Sequence, residues 1–241
     1  MLMLSAKGIT KHYGEIVALD KVNLELSRGE VFGLLGSNGA GKTTLMKIFA
    51  TLLRPDSGVA LVGNANVVQE PLRARRMIGF VPENPSLYDK LTGLEFLNMI
   101  AKLRNMRQTV ADTGISEMRD LFRMGAELER ESDGLSRGMK QKLALSSALF
   151  HKPPVLILDE PTNGLDPRFA KLLKEWLKEY ARAGNTILLS THVTQVAESI
   201  CDRIAIIHDG RLVALGTVKE VCANSGASTL EDAFTTIVGD A

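Results

Sequence analysis

Gly36-Ser-Asn-Gly-Ala-Gly-Lys-Thr-Thr44 is the stretch of the chain that decides its fold. It fits the G-x-x-x-x-G-K-[ST] pattern of a phosphate-binding loop. The apolar run Val31–Leu35 before it predicts a buried strand, and Thr44–Phe49 after it predicts the start of a helix. A glycine-rich loop between a strand and a helix N-terminus presents backbone N–H groups and a favourable dipole to anions. A glycine loop met by chance would lack this flanking strand and helix, so the stretch predicts a phosphate site.

The residues of the loop have separate predicted roles. Glycines permit its tight path and the close approach of backbone to phosphate. Lys42 is predicted to reach the β- and γ-phosphates, and the Thr43 hydroxyl to bind Mg²⁺. The candidate nucleotide-binding residues of the loop are Gly36, Ser37, Asn38, Gly39, Ala40, Gly41, Lys42, Thr43 and Thr44.

Composition narrows the class of protein. The chain has 241 residues, of which 45% are hydrophobic, and a net charge of +1. This length suits one large domain, and the charge argues against wholesale nucleic-acid binding. No apolar run approaches the ~18 residues of a membrane span, and the first residues lack the basic start of a signal peptide. Cys201 and Cys222 form no disulfide framework or metal spacing. We therefore expect a cytosolic chain with reduced thiols.

Hydrophobic patterns predict strands at both ends of the chain and helices between them. The predicted strands are Glu15–Leu19, Val22–Leu26, Val31–Leu35, Gly58–Gly63, Val155–Leu158, Thr186–Ser190, Arg203–His208 and Arg211–Leu215. Continuous apolar runs indicate parallel strands buried on both faces, and Asp209-Gly210 is a hairpin signal. Residues 92–150 are predicted to be helical, starting from a capping box at Thr92 and Glu95. A further helix ends at Gly184. This pattern predicts an α/β fold with a helical insertion.

Asp159 and Glu160 end the second long apolar run. A carboxylate at the end of a buried strand is costly without a cation, so Asp159 is a candidate Mg²⁺ ligand. Glu160, one residue on, is predicted to project to the other side and to polarise the water that attacks the γ-phosphate. The alternative is that both acids cap the next helix.

A third motif lies at Leu135-Ser-Arg-Gly-Met-Lys-Gln141. Ser136 can cap the helix that follows. The functional interpretation adds that Ser136 and the Gly138 amide present a helix N-terminus to a second phosphate group. Taken alone, the motif favours the plain cap.

Together, these motifs resemble the nucleotide-binding subunits of ABC transporters. Matching runs follow one another at spacings similar to those of the family. They are the aromatic loop at His12-Tyr13-Gly14, the signature at Leu135–Met139, the Walker B strand at Val155–Glu160, the D-loop at Gly164-Leu165-Asp166 and the switch histidine at Thr191-His192. The resemblance extends from Leu4 to about Gly216.

The resemblance implies an α/β fold with a P-loop NTPase (RecA-like) core, a small antiparallel β-lobe and a helical insertion lobe at about residues 90–150. An ABC ATPase domain would cover residues 1–216, and residues 217–241 would form a short C-terminal tail. ATP and Mg²⁺ are the implied cofactors, with Lys42, Glu160 and His192 as catalytic residues. The implied assembly is a head-to-tail ATP-bound dimer, of two copies or with a paralogous ATPase subunit. Each ATP would lie between the Gly36–Thr44 loop of one subunit and Ser136–Gly138 of the other.

The chain departs from the family pattern at two motifs. Glu83 in Gly79-Phe-Val-Pro-Glu83 stands where the family usually has glutamine, and it can still bind Mg²⁺ or its water. Arg137 and Met139 replace glycine and glutamine in the signature. With the ending Leu230–Phe234, these changes resemble the type-2 ABC exporters, including drug, antibiotic and sodium export ATPases.

Three site residues have a plainer alternative. Tyr13 is either an aromatic residue at a strand edge or, as the resemblance implies, the residue that stacks on adenine; stacking would also accept GTP. His192 is either a satisfied loop histidine or a hydrogen-bond partner of the γ-phosphate at the end of a parallel strand. Asp166 caps the helix that begins at Pro167, couples the two dimer sites, or does both.

One cluster of charge lies outside these motifs. Arg73, Arg75 and Arg76 are predicted to form a solvated helix face, with contact to a partner or to lipid headgroups as the alternative.

The leading functional hypothesis is the ATPase subunit of a membrane exporter, held at the cytoplasmic face of the cell membrane by a separate integral-membrane permease. A coupling helix of the permease would dock near Pro85–Leu91 and the Thr92 helix. A soluble ABC-type ATPase on nucleic acid or the ribosome is the second hypothesis, but the chain has no coiled-coil insertion and one phosphate loop, so no nucleic acid is expected. A regulatory ATP-binding module without turnover conflicts with an intact Glu160 and His192.

Overall fold

The site is built on one edge of the larger of two β-sheets. The structure is a computed structural model that describes residues 1–239. Its six strands lie in the order β10-β9-β3-β8-β7-β6. They are β3 (Val31–Leu35), β6 (Ile78–Val81), β7 (Val155–Asp159), β8 (Thr186–Thr191), β9 (Arg203–His208) and β10 (Arg211–Gly216). All neighbours pair in parallel except β9 and β10. Because parallel strands end at one edge of a sheet, the segments that follow β3, β6, β7 and β8 meet there.

The smaller sheet is antiparallel, as predicted, and has the strand order β2-β1-β4-β5. Its strands are β1 (Leu2–Tyr13), β2 (Ile16–Ser27), β4 (Ser57–Val62) and β5 (Ala65–Asn66). Strand β1 was not predicted. The two predicted strands Glu15–Leu19 and Val22–Leu26 were wrong as separate elements, because β2 continues through both. Lys21 adopts a φ of 49° there, and the register with β1 shifts at this point without interrupting the pairing.

Helices cover both faces of the larger sheet. They are α1 (Lys42–Phe49), α2 (Pro71–Arg76), α3 (Gly93–Leu103), α4 (Gln108–Phe122), α5 (Arg137–Leu149), α6 (Pro167–Arg182), α7 (Thr194–Ile200), α8 (Val218–Ser225) and α9 (Leu230–Gly239). The predicted capping box at the start of α3 is confirmed, because Thr92 and Glu95 exchange backbone-to-side-chain hydrogen bonds. None of the helices in residues 1–239 combines the length and the apolar character that crossing a membrane requires.

Side chains of β3 alternate between the two faces of the sheet, so this central strand packs against several layers of the fold. Phe32 and Leu34 pack with α1 and the smaller sheet, whereas Val31 packs with the helical insertion. Leu35 packs with the C-terminal helices. All five residues of β3 are buried, as expected of a strand covered on both faces.

The C-terminal segment packs onto the rest of the chain. Val221, Leu230 and Ala233 of α8 and α9 are buried in one cluster with Leu35 of β3 and Ala197 of α7. The division at residue 216 therefore separates two segments that share a hydrophobic cluster, and it stays a sequence-based prediction. Asp240 and Ala241 of the predicted tail lie outside the described residues.

The surroundings of His151, which follows α5, are expected to make the stability of the fold depend on pH. Its Nε2 lies 3.4 Å from the Ile78 carbonyl oxygen. Burial, together with the nearby Arg104, lowers the pKa of His151 from 6.5 to about 4, and the carbonyls of Ile78 and Ser147 act in the opposite direction. Because the folded pKa lies below the unfolded value of about 6.5, stability is complete above that value and is lost as the pH falls toward 4.

We expect the free energy of unfolding of the wild type to fall between pH 7.5 and pH 5 by about 2 kcal/mol more than that of His151→Gln. Urea denaturation of both proteins at the two pH values measures this difference. An equal pH dependence in the two proteins would contradict burial of a neutral imidazole at this position.

Candidate functional site

The loop between β3 and α1 is shaped for close approach of a ligand to its backbone. Gly41 has a φ of 112°, and a Cβ there would lie 2.6 Å from the Ala18 carbonyl oxygen. A Cβ on Gly36 would lie 2.5 Å from the Ile207 carbonyl oxygen. No side chain within residues 1–239 caps the N-terminus of α1, so its first amides remain available to an anion. Glycine at these two positions is therefore dictated by packing and by backbone conformation.

Lys42 lies under the loop with its charge directed at the backbone. Its Nζ donates to the carbonyl oxygens of Gly36, at 2.7 Å, and Ser37, at 3.0 Å. Burial lowers the pKa of the Lys42 ammonium, while Glu160, Asp159 and Glu83 act in the opposite direction. An ammonium has three N–H donors. The third remains for a ligand in the loop.

Asp159 ends β7 and is held from two sides. Thr43 Oγ1 donates to its Oδ2 at 2.8 Å, and Ser190 Oγ donates to its Oδ1. Ser190 Oγ also accepts a hydrogen bond from the Glu160 amide at 3.0 Å. Asp159 is 1% exposed. The loop threonine and the strand carboxylate, 116 positions apart, therefore meet as the sequence predicted.

Ser190 is a site residue that sequence analysis missed. Strands β7 and β8 are parallel neighbours whose register places Ser190 beside Asp159. A hydroxyl at the end of an otherwise apolar strand was the available signal. Because one hydroxyl contacts both Asp159 and the Glu160 backbone, Ser190 fixes the two acids relative to each other.

Glu160 does not lie on the side opposite Asp159, and this prediction was wrong. Strand β7 ends at Asp159, and Glu160 has a φ of 49°, so the alternation of a strand does not continue to it. Both residues line the same cavity. A non-glycine residue in the left-handed region is uncommon and strained, and such residues cluster at functional sites.

The two carboxylate oxygens of Glu160 have different surroundings. Oε1 lies 2.8 Å from Nδ1 of His192. Oε2 is buried and finds no hydrogen-bond partner among the described residues. An ionised carboxylate can only accept, so this contact makes Nδ1 the donor and fixes the orientation of the ring. A buried oxygen without a partner needs an explanation such as a bound water or ligand.

These residues surround a polar cavity of about 200 Å³ at the carboxyl edge of the sheet. Its lining contains Glu83, Asp159, Glu160 and seven loop residues. The loop residues are Ser37, Asn38, Gly39, Gly41, Lys42, Thr43 and Thr44. Gly36 and Ala40 support the loop without lining the cavity: Gly36 accepts from Lys42, and the Ala40 carbonyl accepts from the Gly210 amide. The Glu83 side chain follows β6 and is exposed.

Besides Gly36 and Ala40, five predicted site residues lie outside the lining of this cavity. They are Tyr13, Ser136, Gly138, Asp166 and His192, which contacts the lining residue Glu160. Tyr13 ends β1 and is 49% exposed. Ser136 caps α5 by accepting from the Met139 amide at 3.3 Å, and Asp166 caps α6 by accepting from the Phe169 amide at 2.9 Å. A Cβ on Gly138 would lie 3.3 Å from the Gly164 carbonyl oxygen, so the signature and D-loop runs are in contact.

The alternative of a capping role for Asp159 and Glu160 is wrong, because their described hydrogen bonds go to Thr43, Ser190 and His192. The next helix is capped by Asp166. For Ser136 and Asp166, the plain capping role is confirmed and leaves room for a second role.

Comparison with known proteins gives consistent results. A family model described as "ABC transporter" matches residues 19–163. The probable multidrug ABC transporter ATP-binding protein YbhF of Escherichia coli (strain K12) is 36% identical over 99% of this chain. The chain spans 42% of the length of that relative. The linearmycin resistance ATP-binding protein LnrL of Bacillus subtilis (strain 168) is 35% identical, over 95% of this chain and 73% of the relative.

Solved structures have the same fold. The structure of an ATP-binding subunit of an ABC transporter superposes with a TM-score of 0.92 at 32% identity, covering 98% of this chain and 99% of the other. A dimeric post-hydrolysis state of the ATP-binding cassette MJ0796, bound to ADP and Pi, gives a TM-score of 0.82 at 28% identity. That match covers 89% of this chain and 98% of the cassette.

Proposed function

Since this chain belongs to the ABC transporter family, we propose that it is an ATPase subunit that drives substrate export through a separate membrane permease. The observation that carries this proposal is the constellation at the cavity: a lysine under a glycine loop, a buried Thr43–Asp159 pair and a buried Glu160 with one free oxygen. Relatives named for multidrug transport and for resistance to linearmycin support export as the direction.

We assign the loop Gly36–Thr44 to the phosphates of ATP. Its amides and the α1 N-terminus would bind phosphate oxygens, and the third N–H of Lys42 would reach the β- and γ-phosphates. Lys42 is preorganised for this task, because its other two donors already bind loop carbonyls.

The residues present fit Mg²⁺. Thr43 Oγ1 and Asp159 Oδ2 are hard oxygen donors 2.8 Å apart in the cavity wall, so both can face one cation directly or through water. Glu83 supplies a third oxygen donor in the lining. Residues 1–239 contain no group of three or more His, Cys, Asp or Glu side chains arranged to hold a metal. We place Thr43, Asp159 and Glu83 as its protein contacts, with phosphate oxygens and water as further ligands. When bound, Mg²⁺ neutralises charge on the phosphates.

Glu160 is assigned as the general base. Glu160 lines the cavity and its Oε2 has no described partner, so we assign this oxygen to accept a proton from a water that attacks the γ-phosphate. His192 orients the carboxylate through Nδ1 and, in our proposal, contacts the γ-phosphate once ATP is bound. Ser190 holds the Glu160 backbone in its strained conformation.

The second half of each site is assigned to another subunit. Ser136 and Gly138 at the N-terminus of α5 would face the γ-phosphate bound by a partner, either an identical copy or a paralogous subunit. Asp166 would couple the two sites while also capping α6. Tyr13, exposed at the end of β1, would stack on adenine. A solved cassette of similar fold is described as dimeric, which supports assembly of two such subunits.

The remaining assignments concern placement in the cell. We propose that the ABC ATPase domain spans residues 1–216 and that the permease holds it at the cytoplasmic face of the membrane. A coupling helix of the permease would dock between the lobes near Pro85–Leu91 and α3. ATP would close the dimer and hydrolysis would reset it, which is a population shift driven by a ligand.

Co-purification from native membranes through a tag on this chain tests the proposed function. We expect a polytopic membrane protein in the eluate, with ATP hydrolysis that responds to candidate exported compounds. Ribosomes or nucleic acid in place of a membrane protein would instead favour a soluble switch ATPase. Absence of ATP hydrolysis in both the complex and the isolated chain would contradict the ATPase assignment.

A further inference from the structure

The end of β1 extends beyond the strand that supports its outer edge. Strand β1 pairs with β4 as far as Thr10, which lies opposite Ser57. The last residues of β1, Lys11–Tyr13, pair with β2 alone, and within the described residues no strand lies along their other edge. A two-stranded ribbon is only marginally stable in water. The segment that carries Tyr13 therefore needs a further contact to hold it in one conformation.

Asp56, in the turn before β4, supplies this contact. Its Oδ2 accepts a hydrogen bond from the His12 amide at 2.6 Å, and its own amide donates to the Thr10 carbonyl oxygen at 2.9 Å. Oδ2 also lies 3.3 Å from Nδ1 of the His12 ring. The carboxylate thus takes the place that a backbone carbonyl of a longer β4 would occupy. Asp56 fixes the backbone of the residue directly before Tyr13.

Lys11 holds the carboxylate of Asp56 from its other side. Its Nζ donates to Oδ1 at 2.6 Å, so each carboxylate oxygen has its own partner. The hydrogen bonds from Lys11 and from the His12 amide hold the pKa of Asp56 below its usual value, which keeps the group an anion at neutral pH. Exposed ion pairs contribute little to overall stability, whereas a charged acceptor binds a backbone amide more strongly than a neutral one. The arrangement is therefore suited to holding a short segment in position.

Tyr13 lies beside other apolar side chains at the tip of the β1–β2 hairpin. Tyr13 is 49% exposed, its cross-strand partner Ile16 is 70% exposed, and Val17 is 45% exposed. An exposed aromatic face is a surface on which a planar base can stack. Ordering a mobile side chain upon binding reduces the affinity gained from such a contact. A hairpin tip that is held in place before the nucleotide arrives avoids part of this cost.

We propose that Asp56 is a positioning residue for nucleotide binding, which holds the backbone at His12 so that Tyr13 presents its ring to the base. The inference rests on the stacking of Tyr13 on adenine given under the proposed function. Asp56 does not line the cavity at the phosphate loop, so it acts through Tyr13. Its effect is therefore confined to binding of the base and does not extend to binding of the phosphates.

Isothermal titration of the isolated chain with ATP and with inorganic tripolyphosphate, both with Mg²⁺, tests this role. Tripolyphosphate has the phosphates of ATP and lacks the base. Loss of a base–aromatic stack weakens binding by about 5- to 150-fold, so Tyr13→Ala should weaken ATP binding about tenfold or more. Asp56→Ala should weaken it about fivefold, and both variants should bind tripolyphosphate within about twofold of the wild type. In the Tyr13→Ala background, Asp56→Ala should cause no further loss.

Two more variants complete the test. Glu70→Ala is the matched control, because Glu70 also forms an ion pair, with Arg73 at 2.8 Å, and its side chain is 42% exposed, as is that of Asp56. It should bind both ligands as the wild type does. Asp56→Asn keeps one oxygen that can accept from the His12 amide, and it should recover most of the affinity for ATP that Asp56→Ala loses.

The possible failures are distinguishable. If Tyr13→Ala weakens ATP binding and Asp56→Ala does not, the positioning role fails and the assignment of Tyr13 stands. Equal losses of ATP and tripolyphosphate in Asp56→Ala, additive losses in the double variant, or an Asp56→Asn variant as weak as Asp56→Ala would also overturn the role. If Tyr13→Ala binds ATP as the wild type does, or if the wild type binds no ATP, the proposed function loses that assignment and the positioning role fails with it.

Discussion

Glu160→Gln is expected to lower ATP turnover about a thousandfold while leaving ATP binding intact. The amide preserves the shape of the side chain but cannot accept a proton from water. In the structure, Glu160 lines the cavity with Lys42 and Asp159, and its Oε2 is a buried oxygen with no partner in the described residues. Phosphate release measures turnover, and binding of a fluorescent ATP analogue measures affinity.

The same variant should also change the assembly. Because ATP closes the proposed dimer and hydrolysis resets it, Glu160→Gln should accumulate as a dimer in ATP on size-exclusion chromatography, whereas the wild type returns to monomer. Glu175→Gln is the matched control, since Glu175 lies on the exposed surface of α6 and its side chain is 63% exposed. Turnover of Glu160→Gln within tenfold of the wild type would remove Glu160 from its assigned role.

Lys42→Ala should weaken ATP binding about 100-fold. Charge-assisted hydrogen bonds contribute about 1.5–3 kcal/mol each, and about 2.7 kcal/mol corresponds to a factor of 100 in affinity. Loss of the ammonium also leaves Glu160, Asp159 and Glu83 facing the phosphates without their nearest described cation. Isothermal titration with ATP and Mg²⁺ measures the change.

Lys47→Ala is the matched control for that measurement. Lys47 is on the same helix, α1, but is exposed and does not line the cavity. Its removal should leave the affinity within about twofold, as is usual for an exposed charge. The urea concentration at which Lys42→Ala unfolds shows whether the variant is as stable as the wild type. If it is, and its affinity for ATP is unchanged, that result contradicts the placement of the phosphates over Lys42.

Local signals in the sequence identified most of the regular elements. The hairpin at Asp209-Gly210 is confirmed, with φ values of 43° and 77° at its two central residues. The helix predicted to stop at Gly184 ends at Arg182, and Gly184 has a φ of 94°. Such signals are readable because turn chemistry and capping act over a few residues. The prediction of two strands in place of β2 was wrong for the opposite reason. Locally, Asp20-Lys21 indicates the end of a strand, but pairing with β1 continues the strand through these residues.

The site was predictable in its components and less so in its geometry. Motif spacing predicted that the loop, Asp159 and Glu160 would act together, and the structure brings them to one cavity. Strand alternation placed Glu160 on the wrong side, because the rule applies only while the strand continues. Ser190 carried too weak a signal, since a serine at the end of an apolar run has no motif of its own.

By itself, the sequence determined most of the strands and helices, the phosphate loop, the carboxylates at the end of β7 and the caps of α3, α5 and α6. These depend on interactions between residues close in the chain. The tertiary structure alone decided that Glu160 meets His192 and that Ser190 holds both acids. Those contacts depend on the register of parallel strands and on the packing of helices distant in sequence. Both are set by burial of the whole core, and no short segment of the sequence contains the information that fixes them.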